Sequence, residues 1–262
     1  MRAILGLDRY PLDRPGTPDW QALVDRCRAE LHREGMFNLA GFVRPEALRR
    51  AMDQIAPVTE TLSFTHRRRH NIYFSPSIPD LPADHPALRM VDTVNHTVCA
   101  DQIPDSVPLW IYEWAPFQVF LSAALDQPAL FPMLDPLARV NVMTYRQGER
   151  LNWHFDRSDF TTTILLQAPD AGGAFQYRTD LRSDADPNHD GVARLLNGED
   201  PEMRTLTLSP GTLNVFRGRN TPHCVTPVQG DTPRVIAVFS YYPRPGVRFS
   251  ADEQRGFYGR QA

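Results

Sequence analysis

The chain has 262 residues, of which 42% are hydrophobic and 23% charged, with a formal net charge of −3. Such a length buries a substantial core without covalent staples, and the composition excludes a disordered, collagen-like or coiled-coil chain. The acidic balance leaves no basic footprint for nucleic acid, and the apolar runs are too short to span a bilayer.

In chain order, residues 1–12 hold only a short apolar stretch before Asp8 and Arg9, so no signal peptide is expected. Residues 18–34 predict a helix. Thr17 serves as N-cap, Pro18 suits the first helical position, and Gly35 sits where the helix stops. Ala22, Leu23, Cys27 and Leu31 fall on or near one face. Residues 45–55 predict a second helix, ended before Pro57. Six prolines break residues 76–108 into a loop-rich stretch with one short helix, and 116–125 and 128–137 predict further helices.

From residue 140 the pattern changes. Segments rich in β-branched and aromatic residues fall at 140–146, 152–155, 160–167, 173–178, 204–208, 212–216, 223–228 and 234–242. Short strands at this spacing predict a sandwich or jelly roll. The polar stretch 180–203 predicts a mobile surface excursion. The expected fold class is therefore an all-β core with helical support. A single domain, 1–262, would comprise a helical and loop layer (1–139), a jelly-roll core (140–245) and a C-terminal tail (246–262).

All 28 basic residues are arginines. Lysine Schiff-base chemistry and a lysine-containing phosphate loop are thereby excluded, and any bound carboxylate falls to arginine. The three cysteines are far apart and odd in number, which fits a reducing cytoplasm better than a disulfide framework.

The chemistry-bearing residues are His154 and Asp156, then His223, then Arg234. With 8 histidines, a His-x-Asp tripeptide arises about once by chance, so it means nothing alone. Its context carries more. Residues two apart on a strand face the same side, so one imidazole and one carboxylate can aim at a common point. A second imidazole from a later strand completes a two-histidine, one-carboxylate metal site with open positions.

These residues resemble the Fe(II)/2-oxoglutarate-dependent dioxygenases, whose fold is a double-stranded β-helix, a distorted jelly roll. That family places a distal histidine many residues after His-x-Asp, and a basic residue roughly ten residues later. Here the intervals are 69 and 11 residues. Tyr145-Arg146-Gln147-Gly148, Gly172-Gly173-Ala174-Phe175 and Phe216-Arg217-Gly218 extend the likeness. Arg69-His70-Asn71 and Tyr258-Gly259-Arg260 also resemble the bacterial branch of free-amino-acid hydroxylases and halogenases.

The resemblance implies Fe(II) on His154, Asp156 and His223, with 2-oxoglutarate and O2 as cosubstrates. It implies that Arg234 pairs with the distal carboxylate of 2-oxoglutarate, with Tyr145 and Thr163 as further contacts. It also implies hydroxylation of a free amino acid or similar small substrate, with release of succinate and CO2. Desaturation, oxidative cyclisation or a peptide or natural-product substrate are the alternatives. Halogenases of that branch carry a small residue where Asp156 stands, so chlorination is not expected. Arg69, Asn71 and Arg157 are candidate substrate contacts, and Phe257 and Tyr258 form either a flap or a docked tail. His32, His66, His85, His96 and His189 lie outside the pattern and read as surface or capping residues.

Overall fold

The computed structural model describes residues 1–79 and 81–262. Helix α1 (Pro18–Glu34) forms as its sequence predicts: the Thr17 hydroxyl accepts from the Trp20 N–H, and Gly35 closes the helix at φ 73°. Strand β1 (Met36–Leu39) follows. Helix α2 (Pro45–Leu62) runs through Pro57 instead of ending before it. Its buried face, Ala47, Ala51, Ile55 and Thr59, continues across that point, whereas Pro57 is exposed. Packing of this face outweighs the lost backbone hydrogen bond, a cost of about 3 kcal/mol for an interior proline.

The first half also contains two strands that its polar sequence conceals, β2 (Phe64–His70) and β3 (Val91–Cys99). Strand β3 lies inside the stretch 76–108 expected to be loop; residue 80 of that stretch lies outside the described residues. Helices α3 (Val107–Glu113) and α4 (Ala115–Ala124) come next. The helix expected at 128–137 is absent. Pro132 and Pro136 each lack the N–H a helix needs, and the segment forms strand β4 (Phe131–Pro132) followed by a turn. Asp135 Oδ1 accepts from the Leu137 and Ala138 N–H groups to close that turn.

The second half is strand-rich as expected. It contains β5 (Val140–Tyr145), β6 (Leu151–His154), β7 (Thr161–Gln167), β8 (Ala171–Gly172) and β9 (Phe175–Tyr177). After these come β10 (Arg204–Leu206), β11 (Leu213–Phe216), β12 (His223–Val225), β13 (Val228–Gln229), β14 (Arg234–Phe239) and β15 (Tyr241–Tyr242). The excursion 180–203 is partly ordered by helix α5 (His189–Leu196), which packs Val192 and Leu195 against Ile72, Ala87 and Phe155. The tail contains helix α6 (Ala251–Tyr258), started by a Ser250–Glu253 capping box.

The large sheet has the order β1-β11-β7-β14-β5-β3-β2 and the small one β10-β9-β12-β6. From β5 onward the core strands alternate between them: β5 large, β6 small, β7 large, β9 small, β11 large, β12 small, β14 large, with β10 added to the small sheet beside β9. Every pairing is antiparallel. This is the double-stranded β-helix. Strand alternation divides the large sheet into two faces. Val140, Val142, Ile164, Leu213, Val215, Ala237 and Phe239 pack outward against the helices with Val24, Leu31, Phe117 and Phe120. Each such buried side chain contributes about 1.5–3 kcal/mol. The alternate residues, Tyr145, Thr163, Asn214, Arg234 and Ile236, face inward. Among the described residues no helix is long and apolar enough to cross a membrane.

Candidate active site

The inner face of the large sheet and the small sheet enclose a cavity of about 140 Å³. His154, Asp156, His223, Arg234, Tyr145 and Thr163 all line it. Strands β6 and β12 pair with His154 opposite His223, which brings their ring centroids within 4.2 Å. Strand β6 ends at His154. Asp156 lies just beyond, its N–H donating to the Gly218 carbonyl at 3.0 Å.

Each imidazole is oriented by the backbone. Nδ1 of His154 is 2.9 Å from the Asn152 carbonyl, and Nδ1 of His223 is 3.0 Å from the Thr221 carbonyl. A carbonyl only accepts, so Nδ1 carries the proton and the Nε2 lone pair points inward. Nε2 of His154 lies 3.3 Å from Asp156 Oδ1, and Nε2 of His223 lies 3.6 Å from Oδ2. The three ligating atoms are all within 4.8 Å of one another. Lone pairs facing a carboxylate repel unless a cation sits between them. Two tautomer-fixed imidazoles and one carboxylate therefore fit a divalent metal with open coordination positions. The Thr161 hydroxyl donates to Asp156 Oδ2 and steadies the carboxylate. Burial pushes the Asp156 carboxyl upward, but the neighbouring His223 and His154 outweigh it and hold it well below the usual carboxylate range. Burial lowers the His223 imidazole to about 4.

Arg234 lines the same cavity. It stands opposite Tyr145 in the β14–β5 register, its guanidinium 5.9 Å from the Tyr145 ring centroid. The side chain is buried, burial lowers its pKa, and no carboxylate among the described residues pairs with it. Arginine stays charged even so, and a buried charge without a partner is costly. The residue is thus poised for an anion that enters the cavity. The Tyr145 phenol, pushed up to about 12 by burial, remains a protonated donor beside it. Thr163 is held by the Asn214 carbonyl at 3.4 Å and presents its side chain to the same space.

A family model described as Halogenase D matches residues 19–248. The chain belongs to the Halogenase D family. Three solved structures show how widely this member's fold is shared. A 2OG-Fe(II) oxygenase family oxidoreductase from Burkholderia pseudomallei is 14% identical, with TM-score 0.52, over 86% of this chain and 92% of that one. The epimerase SnoN, solved with Fe3+, alpha ketoglutarate and nogalamycin RO, is 14% identical with TM-score 0.58, over 84% of each chain. EctD from S. alaskensis, solved with 2-oxoglutarate and 5-hydroxyectoine, is 15% identical with TM-score 0.54, over 82% of this chain and 74% of that one. The fold is that of the 2OG-Fe(II) oxygenases. No curated protein matches the sequence.

Beside the metal site this Halogenase D family member has a second cavity of about 270 Å³, which also reaches His154, Asp156 and Tyr145. Its far wall comes from β2 and β3, and here one sequence expectation is corrected. Alternation along β2 turns His66, Arg68 and His70 inward, while Arg67 and Arg69 are exposed. Arg68, not Arg69, faces the cavity. It stacks over Phe74 at 4.6 Å; burial and the charge of Arg157 lower its pKa. Asn71 is likewise outside the cavity. Its Oδ1 accepts from the Tyr73 and Ser75 N–H groups, so it shapes the turn after β2. Arg157 lines the cavity mouth and pairs with Glu253 at 3.0 Å.

The sequence reading also missed His66 and His70. Strand periodicity over 64–70 was the available signal, hidden by the unbroken charge of the run. Asn95 and Thr97 from β3 complete the wall. Helix α6 closes the cavity: Phe257 stacks on His66 at 6.2 Å, and the Tyr258 hydroxyl donates to Asn141 Oδ1 at 2.8 Å.

Proposed function

We propose that this protein is an Fe(II)- and 2-oxoglutarate-dependent oxygenase that hydroxylates an unactivated C–H bond of a free amino acid or a small amino-acid-like carboxylate. The observation that carries this reading is one cavity lined both by a divalent-metal donor set and by a buried arginine that has no carboxylate partner among the described residues. A short dicarboxylate in this cavity would meet both. Fe(II) bound by His154, Asp156 and His223 would supply the redox chemistry that couples conversion of 2-oxoglutarate and O2 to succinate, CO2 and a hydroxylated product. Arg234 binds the distal carboxylate, with Tyr145 and Thr163 as its nearest polar company. The apolar walls of Phe175, Phe216 and Ile236 exclude water.

The neighbouring cavity suits a small substrate. Its size, its cover by α6 and Arg68, which has no ion-pair partner among the described residues, favour a compact carboxylate over a peptide. SnoN and EctD, whose structures hold nogalamycin RO and 5-hydroxyectoine, also act in the company of small molecules. We read residues 1–262 as one functional unit, because the cavity draws on β2, β3, the strand core and α6 alike. Three free, buried cysteines accord with a cytoplasmic setting.

Asp156 supplies a third protein donor to the metal. With 2-oxoglutarate and O2 bound no position remains for halide, so the product is expected to gain oxygen and no chlorine. The test is 2-oxoglutarate-dependent succinate formation over a panel of amino acids, their small cyclic and N-methyl derivatives, and matched peptides, in chloride buffer. Turnover of a small carboxylate with an oxygenated product supports the reading. Turnover of peptides alone, or a chlorinated product, contradicts it. On the best substrate, Arg68→Ala is expected to raise KM at least tenfold, equivalent to about 1.4 kcal/mol. Arg69→Ala should stay near wild type; equal losses in the two variants would contradict the Arg68 assignment.

A further inference from the structure

Gly218 lies directly against the Asp156 side chain. A Cβ at position 218 would fall 2.8 Å from both Cβ and Cγ of Asp156, and closer still to Oδ2. Carbon atoms in good contact sit about 3.5–4.0 Å apart. The Gly218 backbone is not in the left-handed region, so its conformation does not itself demand glycine. The demand is steric. Asp156 cannot simply retreat: its N–H is bonded to the Gly218 carbonyl at 3.0 Å, and Oδ2 accepts from the Thr161 hydroxyl. Relief of the clash requires the carboxylate to leave the position it holds beside His154 and His223.

We propose that Gly218 is a positioning residue for the metal site, keeping open the space through which the Asp156 carboxylate reaches its ligand position. The inference rests on the reading of His154, Asp156 and His223 as metal ligands. It gives the β11–β12 loop two duties. The loop delivers His223 at its end, and through Gly218 it seats the carboxylate that follows strand β6.

The test is Co(II) affinity, together with the Tm of the metal-free protein, for wild type, Gly218→Ala, Asp156→Gly and the double variant. Gly256, whose added Cβ would meet nothing within 4 Å, provides the control Gly256→Ala. Gly218→Ala is expected to weaken Co(II) binding at least tenfold and to lower the metal-free Tm. The double variant should bind no more weakly than Asp156→Gly and should recover the Tm, because the side chain that clashes is gone. Gly256→Ala should match wild type in affinity. If wild type and Asp156→Gly bind Co(II) alike, the metal reading itself falls. If Asp156→Gly weakens binding while Gly218→Ala leaves affinity and Tm at wild-type values, the positioning role falls and the metal reading stands. Should Gly218→Ala fail to fold, the double variant is expected to fold; a double variant equally unfolded overturns the proposal.

Discussion

His154→Ala is expected to remove metal binding at the site and to abolish turnover. Its Nε2 is one of three protein donors, and its ring is fixed by the Asn152 carbonyl so that the lone pair faces Asp156. Loss of a hydrogen-bond partner that merely supports a ligand costs roughly 10–100-fold in metal affinity. Loss of the ligand itself should cost more, since only Asp156 and His223 remain. The control is His96→Ala. His96 pairs with Glu149 at 3.0 Å and lines neither site cavity, so its removal should leave metal occupancy unchanged. Equilibrium dialysis against Fe(II) under anaerobic conditions makes the comparison. Equal occupancy in wild type and His154→Ala would contradict the triad.

Arg234→Ala is expected to raise the 2-oxoglutarate requirement at least tenfold while leaving metal affinity near wild type. Truncating one partner of a buried, hydrogen-bonded charge pair costs about 2–5 kcal/mol, and one decade of affinity is about 1.4 kcal/mol. The free protein gains something in exchange, because the buried guanidinium has no carboxylate of its own and its desolvation is relieved. For that reason the loss should appear in cosubstrate affinity and not in the Tm of the unliganded protein. Arg234→Lys should recover only part of the affinity, since a point charge lacks the planar fork that grips a carboxylate twice. An Arg234→Ala protein with an unchanged 2-oxoglutarate requirement would place the anion elsewhere.

The strand core was legible because its outward face is apolar. Val140 and Val142, Ile164 and Leu166, Leu213 and Val215 alternate as half-buried strands should. Strands β2 and β3 were not legible, and the reason is functional. The inward faces of β2 and β3 carry His66, Arg68, His70, Thr93, Asn95 and Thr97, which line the second cavity. A face made polar by its cavity erases the hydrophobic period that reveals a strand. The same erasure moved the expected substrate contact by one residue, from Arg68 to Arg69. A slip of one position on a strand changes the face.

Local signals misled in two further places. Pro57 predicted a helix end, but the buried stripe from Ala47 to Thr59 carries α2 past it. The apolar composition of 128–137 suggested a helix that its own prolines forbid. The metal triad was legible from spacing: His154 and His223 lie on paired strands, and Asp156 follows the first of them by two residues. Gly218 was not: nothing in a sequence says which side chain a missing Cβ makes room for.

The central claim is that one cavity binds a metal and 2-oxoglutarate together. Anaerobic calorimetric titration of 2-oxoglutarate into Fe(II)-loaded and metal-free protein tests it most directly. The account predicts one site per chain and binding at least tenfold tighter with Fe(II) than without, because the ligand then engages the metal as well as Arg234. Absence of binding to the Fe(II)-loaded protein, or equal affinity with and without the metal, would contradict it.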